Sequence, residues 1–305
     1  MKVEILLSTY NGERFLESQL DSLLHQTYKD WVCIIRDDGS TDSTISIIEK
    51  YINNYPDHFR LLPDREHVGW KESFRRLIYQ CQAEYAFFCD QDDIWNEYKI
   101  EVMLGCVKAL ELDGTVPVLC ICDLYVIDGS GDRVFDSYWE CKKEDTYDFW
   151  PDAVFYNPYP GMSMAMNRAF LDVIRPMPSE VPHDWWCTLN AVFLKGFYKI
   201  PIKLGYYRSH KGNVEGLKVL SWRLLLYYLR CINLPIKYVK ESCRMIEYLI
   251  NRGDLQRYDP NRLQEVLILY KILKRAPILR KIILLFSSHI SPTSFLRKLG
   301  WFLFV

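Results

Sequence analysis

The sequence predicts an α/β fold: a doubly wound, mainly parallel sheet with a helical C-terminal appendage. Three observations carry that expectation. Short apolar runs alternate with stretches of helical periodicity between residues 3 and 95. Polar clusters close three of the runs: Ser8-Thr9-Tyr10-Asn11, Asp37-Asp38 and Asp90-Gln91-Asp92-Asp93. The length of 305 residues suits one such domain with an extension.

Val3 to Leu7 is a compact β-branched and aliphatic run broken at Asn11-Gly12, which reads as a buried strand. Phe15, Leu16, Leu20, Leu23 and Leu24 then recur at helical spacing. Trp31 to Ile35 is a second strand, and Thr41 or Asp42 caps a helix carrying Ile45, Ile47, Ile48 and Ile52. Phe59 to Leu62 is a third strand. Val68-Gly69 leads into a helix with Phe74, Leu77 and Ile78, and Tyr85 to Cys89 is a fourth strand. Such βαβ repetition makes a parallel sheet, and ligands bind beyond the carboxyl ends of its strands, where the three polar clusters fall.

After Asp113-Gly114 the pattern changes. Val118 to Ile127 and Arg133 to Trp139 flank Asp128-Gly129-Ser130-Gly131 as a hairpin. Met162 to Met166 reads as a strand, Glu180 to Leu194 contains a short helix, and Tyr198 to Tyr207 returns to strand. From Leu217 the chain reads as helical, punctuated by Pro235, Pro260, Pro277 and Pro292.

Composition narrows the function. Hydrophobic residues make up 49% and charged residues 25%, ordinary for a chain that buries a core. The net charge of -1 argues against a nucleic-acid binder. That sum hides an asymmetry. Residues 217–305 hold 16 Lys+Arg and 5 Asp+Glu, a net of +11, leaving 22 against 34, a net of -12, on residues 1–216. The expected division is therefore a catalytic domain over 1–216 and a basic amphipathic helical region over 217–305.

In the tail, Trp222, Leu225, Leu226, Leu229 and Ile232 sit at helical spacing with Arg223 and Arg230 between them. Residues 278–286 and 295–305 carry Arg280, Lys281, Arg297 and Lys298 with no acid. Such segments suit an anionic membrane surface; docking on the acidic body or a homodimer contact are the competing uses. No signal peptide or spanning helix is expected, because Glu4 interrupts the first apolar run and the uncharged stretch from Ile282 to Leu296 contains Pro292. Ten cysteines without a CxxC pair read as buried thiols, with Cys120 and Cys122 on one face of a strand.

Asp90-Gln91-Asp92-Asp93 is the sharpest chemical feature. Three carboxylates within four residues repel one another unless a cation lies among them, and Mg²⁺ or Mn²⁺ takes such oxygen ligands; an acidic cap on the next helix is the plainer reading. Asp37-Asp38 can accept from a pyrimidine imide or ribose hydroxyls, or can build a turn and helix cap. Tyr10 offers a face for base stacking or for the core. No GxGxxG follows the first strand, which disfavours a nicotinamide-dependent dehydrogenase.

Six motifs in order resemble family 2 glycosyltransferases, over about two thirds of the chain. They are Ser8-Thr9-Tyr10-Asn11-Gly12, Asp37 to Asp42, Asp90 to Trp95 (with Val68-Gly69 before it), Gly161-Met162-Ser163-Met164, His183-Asp184-Trp185-Trp186 and Tyr207 to Asn213. The variants look closest to bacterial rhamnosyltransferase-like members that build surface polysaccharides. The resemblance implies a GT-A fold. It also implies that Thr9, Tyr10 and Asp38 hold the base, with Asn11 and Asp37 beside them.

The resemblance further makes Asp92 the direct metal ligand, with Asp90 at the metal or ribose, Asp93 close behind and His210 returning to the metal or diphosphate. Arg208 pairs with diphosphate or with a neighbouring acid. Asp184 becomes the general base, and Trp95, Met162, His183, Trp185 and Trp186 line an acceptor or sugar pocket. Ser73 replaces an Asn and Met162 a Cys common among relatives, which puts donor identity in doubt. The QxxRW segment of processive synthases is not evident, which favours adding one or a few sugars.

The expectation is an inverting, metal-dependent transferase on the cytoplasmic face of the membrane. It would move a sugar from a dTDP- or UDP-linked donor, with dTDP-rhamnose first, to a polyprenyl-linked saccharide. A nucleotidyltransferase using the same acids and metal, or a non-catalytic membrane-associated assembly partner, are the rivals.

Overall fold

Val3, Ile5, Leu6 and Leu7 are wholly buried because β1 (Val3–Thr9) has a parallel neighbour on each edge: β2 (Trp31–Asp37) and β4 (Tyr85–Cys89). A strand covered on both faces needs no polar alternation, and each such aliphatic side chain contributes about 1.5–3 kcal/mol on burial. The computed structural model describes residues 3–142, 153, 157–210, 241, 244–252, 258–261, 264 and 267. Between these strands come α1 (Leu16–Leu24), α2 (Thr44–Asn54), β3 (Phe59–Leu61) and α3 (Trp70–Gln80). Then follow β5 (Ile94–Trp95), α4 (Lys99–Leu110), β6 (Leu119–Asp128), β7 (Arg133–Phe135) and α5 (Tyr138–Lys142). A 3₁₀ turn (Gly161–Ser163) leads into β8 (Met164–Asn167), α6 (Arg168–Ile174), α7 (His183–Phe193) and β9 (Phe197–Ser209).

The nine strands form one sheet in the order β3-β2-β1-β4-β8-β6-β9-β5, with β7 on β6. β3, β2, β1 and β4 are parallel, and β8 runs antiparallel to both β4 and β6. Two reversals restore direction, so β6 and its parallel neighbour β9 run with β4. The carboxyl ends of β1, β2, β4 and β9 therefore share one rim, as a mainly parallel sheet requires. α3 packs on β1 and β2, and α4 on β6, β8 and β9. Cys120 and Cys122 are buried on β6.

Three local differences from the sequence expectation have visible causes. The strand at Arg133 stops at Phe135, because Ser137 Oγ accepts from Glu140 N (3.1 Å) and Asp123 Oδ1 from Trp139 N (3.2 Å), turning Tyr138 and Trp139 into α5. Ser163 Oγ donates to Pro160 O at 2.7 Å, so the first residues of the Met162–Met166 run form a turn before the strand. α4 is a full helix that the apolar patterning does not single out.

The chain divides into two compact units. The first contains Met1–Asp145, Pro158–Ala191 and Gly196–Gly216. The second contains Thr146–Asn157, Val192–Lys195 and Leu217–Val305; within it Asp259 N donates to Phe193 O at 3.1 Å, and Met245, Ile246 and Leu249 are buried. The amphipathic segments read at 217–240 and 278–305 lie outside the described residues. No helix among the described residues is long and apolar enough to cross a membrane.

Candidate functional site

The loops after β1 and β2 lock together through the residues read as base-binding. Thr9 Oγ1 donates to Asp37 Oδ1 (3.0 Å), and Asp37 Oδ2 accepts from Gly39 N (3.1 Å) and Ser40 N (2.8 Å). Asn11 N donates to Ser40 Oγ (2.9 Å), and Asn11 Oδ1 accepts from Thr41 N (2.9 Å). Asp37 thus builds the turn that sequence reasoning left as one of two options, and Asn11 is tied to that turn.

Asp38 is 2% exposed and is held by protein donors on both oxygens. Arg36 Nη1 (2.7 Å) and Val68 N (2.9 Å) reach Oδ1, and Gly69 N (2.8 Å) reaches Oδ2. Gly69 can present its amide because φ there is 84°, the left-handed region that glycine adopts without strain. Arg36 also donates Nε to Asp64 Oδ2 (3.2 Å) and Nη2 to Glu66 O (2.6 Å), clamping the β3–α3 loop. Tyr10 remains 44% exposed, with the His67 ring stacked on it at 4.6 Å and His67 Nδ1 3.0 Å from Asp38 Oδ2. A flat aromatic face above an acid-lined floor is the part of this corner open to a planar ring. Ser73, at the position of the departure noted above, shares a 2.6 Å hydrogen bond with Ser8.

The acidic loop after β4 joins these loops to the end of β9. Gln91 Oε1 accepts from Tyr10 N (2.8 Å) and Gln91 Nε2 donates to Tyr10 O (3.0 Å), a two-point amide bridge. A Cβ on Gly12 would lie 2.3 Å from Gln91 Oε1, so the bridge needs glycine there. From the far strand, His210 Nε2 lies 2.7 Å from Asp92 Oδ2. Arg208 is 5% exposed: its backbone N donates to Asp93 Oδ1 (2.8 Å), its Nε to Asp92 O (2.7 Å) and its Nη1 to Asp128 O (3.3 Å). Arg208 is therefore a clasp between β9 and the acidic loop. Phe15 lies beneath, 4.8 Å from both the His210 ring and the Arg208 guanidinium.

Burial and the Asp92 charge push Asp90 up to about 7 and hold Asp93 well above the ordinary carboxylate range. Carboxylates crowded this way favour a cation. Among the described residues no cluster of three or more His, Cys, Asp or Glu is gathered tightly enough to bind an ion alone. Of the residues read as metal ligands, the structure brings Asp92 and His210 together at 2.7 Å and, among the described residues, gathers no third such group with them.

α7 opens on His183 and Asp184. Asp184 is half-buried and its Oδ1 accepts from Trp185 N at 2.7 Å. The His183 ring stacks on Phe74 (3.8 Å) and touches Phe88 of β4 (4.6 Å); a Cβ on Gly161 would meet its Nε2. The first turn of α7 therefore seats on the 3₁₀ turn, which itself packs against β4.

The residues read as a sugar pocket fill the core instead. Trp186 has no exposed surface and donates Nε1 to Ile174 O (3.0 Å), while Trp95, Met162, His183 and Trp185 are buried. A buried indole needs a partner for its N–H, and the Ile174 carbonyl supplies one for Trp186. Arg36, His67 and the bridging role of Gln91 escape sequence reasoning. Only Arg36, a charge closing the apolar run Val32–Ile35, leaves a signal there.

His183 makes a pH prediction. Burial lowers it to about 3, below the ordinary imidazole value near 6.5. The unfolded chain then binds the proton first, so this group's contribution is complete above about pH 6.5 and is lost as pH falls. Between pH 7.5 and 5 wild type should lose about 2 kcal/mol more than His183→Leu, read from urea unfolding at the two pH values. Equal losses would show that this imidazole is not buried neutral.

A family model described as glycosyl transferase family 2 matches residues 4–170. The dTDP-rhamnosyl transferase RfbG of Shigella flexneri is 39% identical over 105 residues, 33% of this chain and 36% of that protein. An uncharacterized glycosyltransferase of Nostoc sp. is 26% identical over 224 residues, 70% of this chain and 66% of that one. Thus the chain spans about a third to two thirds of these relatives. By structure, Staphylococcus aureus TarS 1-349 in complex with UDP-GlcNAc has a TM-score of 0.57 at 17% identity, over 99% of this chain and 78% of that chain. The mannosyltransferase PcManGT from Pyrobaculum calidifontis, in complex with GDP-Man and Mn²⁺, has a TM-score of 0.52 at 15% identity, over 90% and 81%. These two likenesses are likenesses of fold.

Proposed function

Because the chain belongs to glycosyl transferase family 2, we propose that it transfers a sugar, with inversion, from a nucleotide diphosphate donor to a hydroxyl of a lipid-linked saccharide. The observation that carries this reading is the 2.7 Å contact between Asp92 and His210, which joins the ends of two distant strands on the ligand-binding rim. dTDP-rhamnose is the first donor to test, supported by the partial likeness to a dTDP-rhamnosyl transferase. The acceptor would lie at the inner face of a bacterial membrane, and the net +11 of residues 217–305 supports attachment to anionic lipid there.

Tyr10, with His67 behind it, would stack the base. Asp92, His210 and Asp90 would hold a divalent ion, which supplies positive charge to the departing diphosphate. Asp184 would accept the acceptor's hydroxyl proton as that oxygen bonds to the anomeric carbon. The bond from the anomeric carbon to the phosphate oxygen breaks on the opposite face, and the nucleoside diphosphate leaves with the electron pair.

Thermal unfolding against dTDP-, UDP- and GDP-sugars with Mn²⁺ tests the donor. A cognate donor at a hundred times its dissociation constant adds about 2.7 kcal/mol of stability, and dTDP-rhamnose should give the largest rise in Tm. If none of the panel moves Tm, the donor assignment fails. Release of nucleoside diphosphate rather than pyrophosphate on adding acceptor separates transfer of a sugar from transfer of a nucleotidyl group.

A further inference from the structure

Consecutive residues at the head of α3 hold two different places. Gly69 gives its amide to Asp38 Oδ2 (2.8 Å), at the corner read as base-binding. Trp70 meets the His183 ring edge-on, with ring centres 6.1 Å apart, and Lys71 Nζ donates to Glu180 O at 2.9 Å. The Lys71 ammonium also lies 5.6 Å from the centre of the Trp70 ring, so the two side chains act as one cluster. Further along the helix, Phe74 carries the 3.8 Å stack with His183, and Ser73 shares its hydrogen bond with Ser8 on β1.

The segment held this way leads straight to Asp184. Glu180 is pinned at its carbonyl and His183 at its ring. Between them Val181 and Pro182 are buried, and the proline ring fixes φ at 182. Trp186 N donates to Pro182 O (2.9 Å) in the first turn of α7. Asp184, half-buried, sits among these fixed points, so its place depends on a helix whose Lys71 is 109 positions from Glu180 in sequence.

We propose that Lys71, with Trp70 as its partner, is a positioning residue for Asp184: one residue of the α3 head holds the donor corner and the next two hold the entry to α7. The brace stands on contacts alone, while its effect on sugar transfer rests on the proposed role of Asp184 as general base. A reacting group misplaced by about 1 Å costs about a hundredfold in rate. A loosened entry to α7 therefore slows the chemical step and leaves donor binding as it was.

The experiment uses the full chain with Lys71→Met, Lys71→Arg, Asp184→Asn and the Lys71→Met/Asp184→Asn pair. Hydrogen exchange followed by mass spectrometry reads the brace without substrate. In Lys71→Met the amides of residues 183–187 should exchange about fivefold faster than in wild type while α6 exchanges as before. Lys71→Arg should stay within about twofold of wild type, since a guanidinium can donate to the same carbonyl. Unchanged exchange at 183–187, or an equal rise in α6, overturns the brace.

Turnover is read as nucleoside diphosphate released from dTDP-rhamnose on bacterial membranes that supply lipid-linked saccharide. Lys71→Met should lower kcat about tenfold with the donor KM within about twofold, and Lys71→Arg should restore most of the loss. In the Asp184→Asn background Lys71→Met should slow transfer by less than about twofold more. Losses that multiply in full, or a raised donor KM in place of the lowered kcat, overturn the positioning role. If wild type releases no nucleoside diphosphate, or Asp184→Asn releases it at the wild-type rate, the functional reading itself fails, and the exchange comparison still decides the brace.

Discussion

Asp184→Asn is expected to slow sugar transfer by about 10²- to 10⁴-fold, the range for loss of a general base, with the donor's dissociation constant left within about twofold. The substitution separates chemistry from folding. Asp184 Oδ1 accepts from Trp185 N at 2.7 Å, and an asparagine oxygen can take the same hydrogen bond. The first turn of α7 then keeps its cap, and His183 keeps its seat against Gly161 and Phe74. What asparagine cannot do is take a proton from the acceptor hydroxyl. The measurements are turnover under saturating donor, donor affinity, and Tm. Turnover above about a tenth of wild type would remove Asp184 from the reaction. A fall in Tm matching the fall in turnover would show a structural role instead.

Arg36→Met should destabilise the protein by about 3–5 kcal/mol, the cost of leaving a buried charge without its partner. Arg36 has no exposed surface, and the Asp38 carboxylate it meets at 2.7 Å is almost as deeply buried. Two backbone amides and the His67 imidazole would remain on Asp38, without the guanidinium that balances its charge at that depth. The loss would propagate, because the same guanidinium holds Asp64 and the Glu66 carbonyl. His67, stacked on Tyr10, would lose its anchor, so donor affinity should fall together with stability. Adding Asp38→Asn should recover part of the stability by removing the stranded charge. Denaturant unfolding reads both, and a loss under about 1 kcal/mol for Arg36→Met would mean that Asp38 is not buried as a charge.

The rim of the site is legible in the sequence for a physical reason. A parallel sheet puts the carboxyl ends of its strands on one side, and each apolar run ends where its polar cluster begins, so Thr9, Asp37 and Asp90 fall together without any knowledge of packing. Partnership is not legible in that way. Whether Asp38 faces a ligand or an arginine depends on how the β3–α3 loop closes over β2, a contact set by tertiary packing. Lys99, wholly buried at the head of α4 with its Nζ donating to Met162 O, leaves no periodic mark, because a lysine there looks the same in sequence whether it reaches water or the core. Trp185 and Trp186 show the opposite failure: a loud signal, compatible with a sugar wall, that packing resolves as interior. His210 lies between: the resemblance implies a return to the metal or diphosphate, while its contact with Asp92 depends on the two antiparallel pairings that bring β9 round to the direction of β4.

The amide bridge from Gln91 to Tyr10 has a consequence for anyone who wishes to change donor choice. Residues 8–12 and residue 91 are 81 positions apart in the bridging pair yet form a single rigid insert. A chimera that grafts the first loop from a relative must bring along that relative's counterpart of position 91 and an unencumbered position 12. Otherwise the transplanted corner arrives out of step with the acids it has to face, and the graft loses the old preference without acquiring the new one.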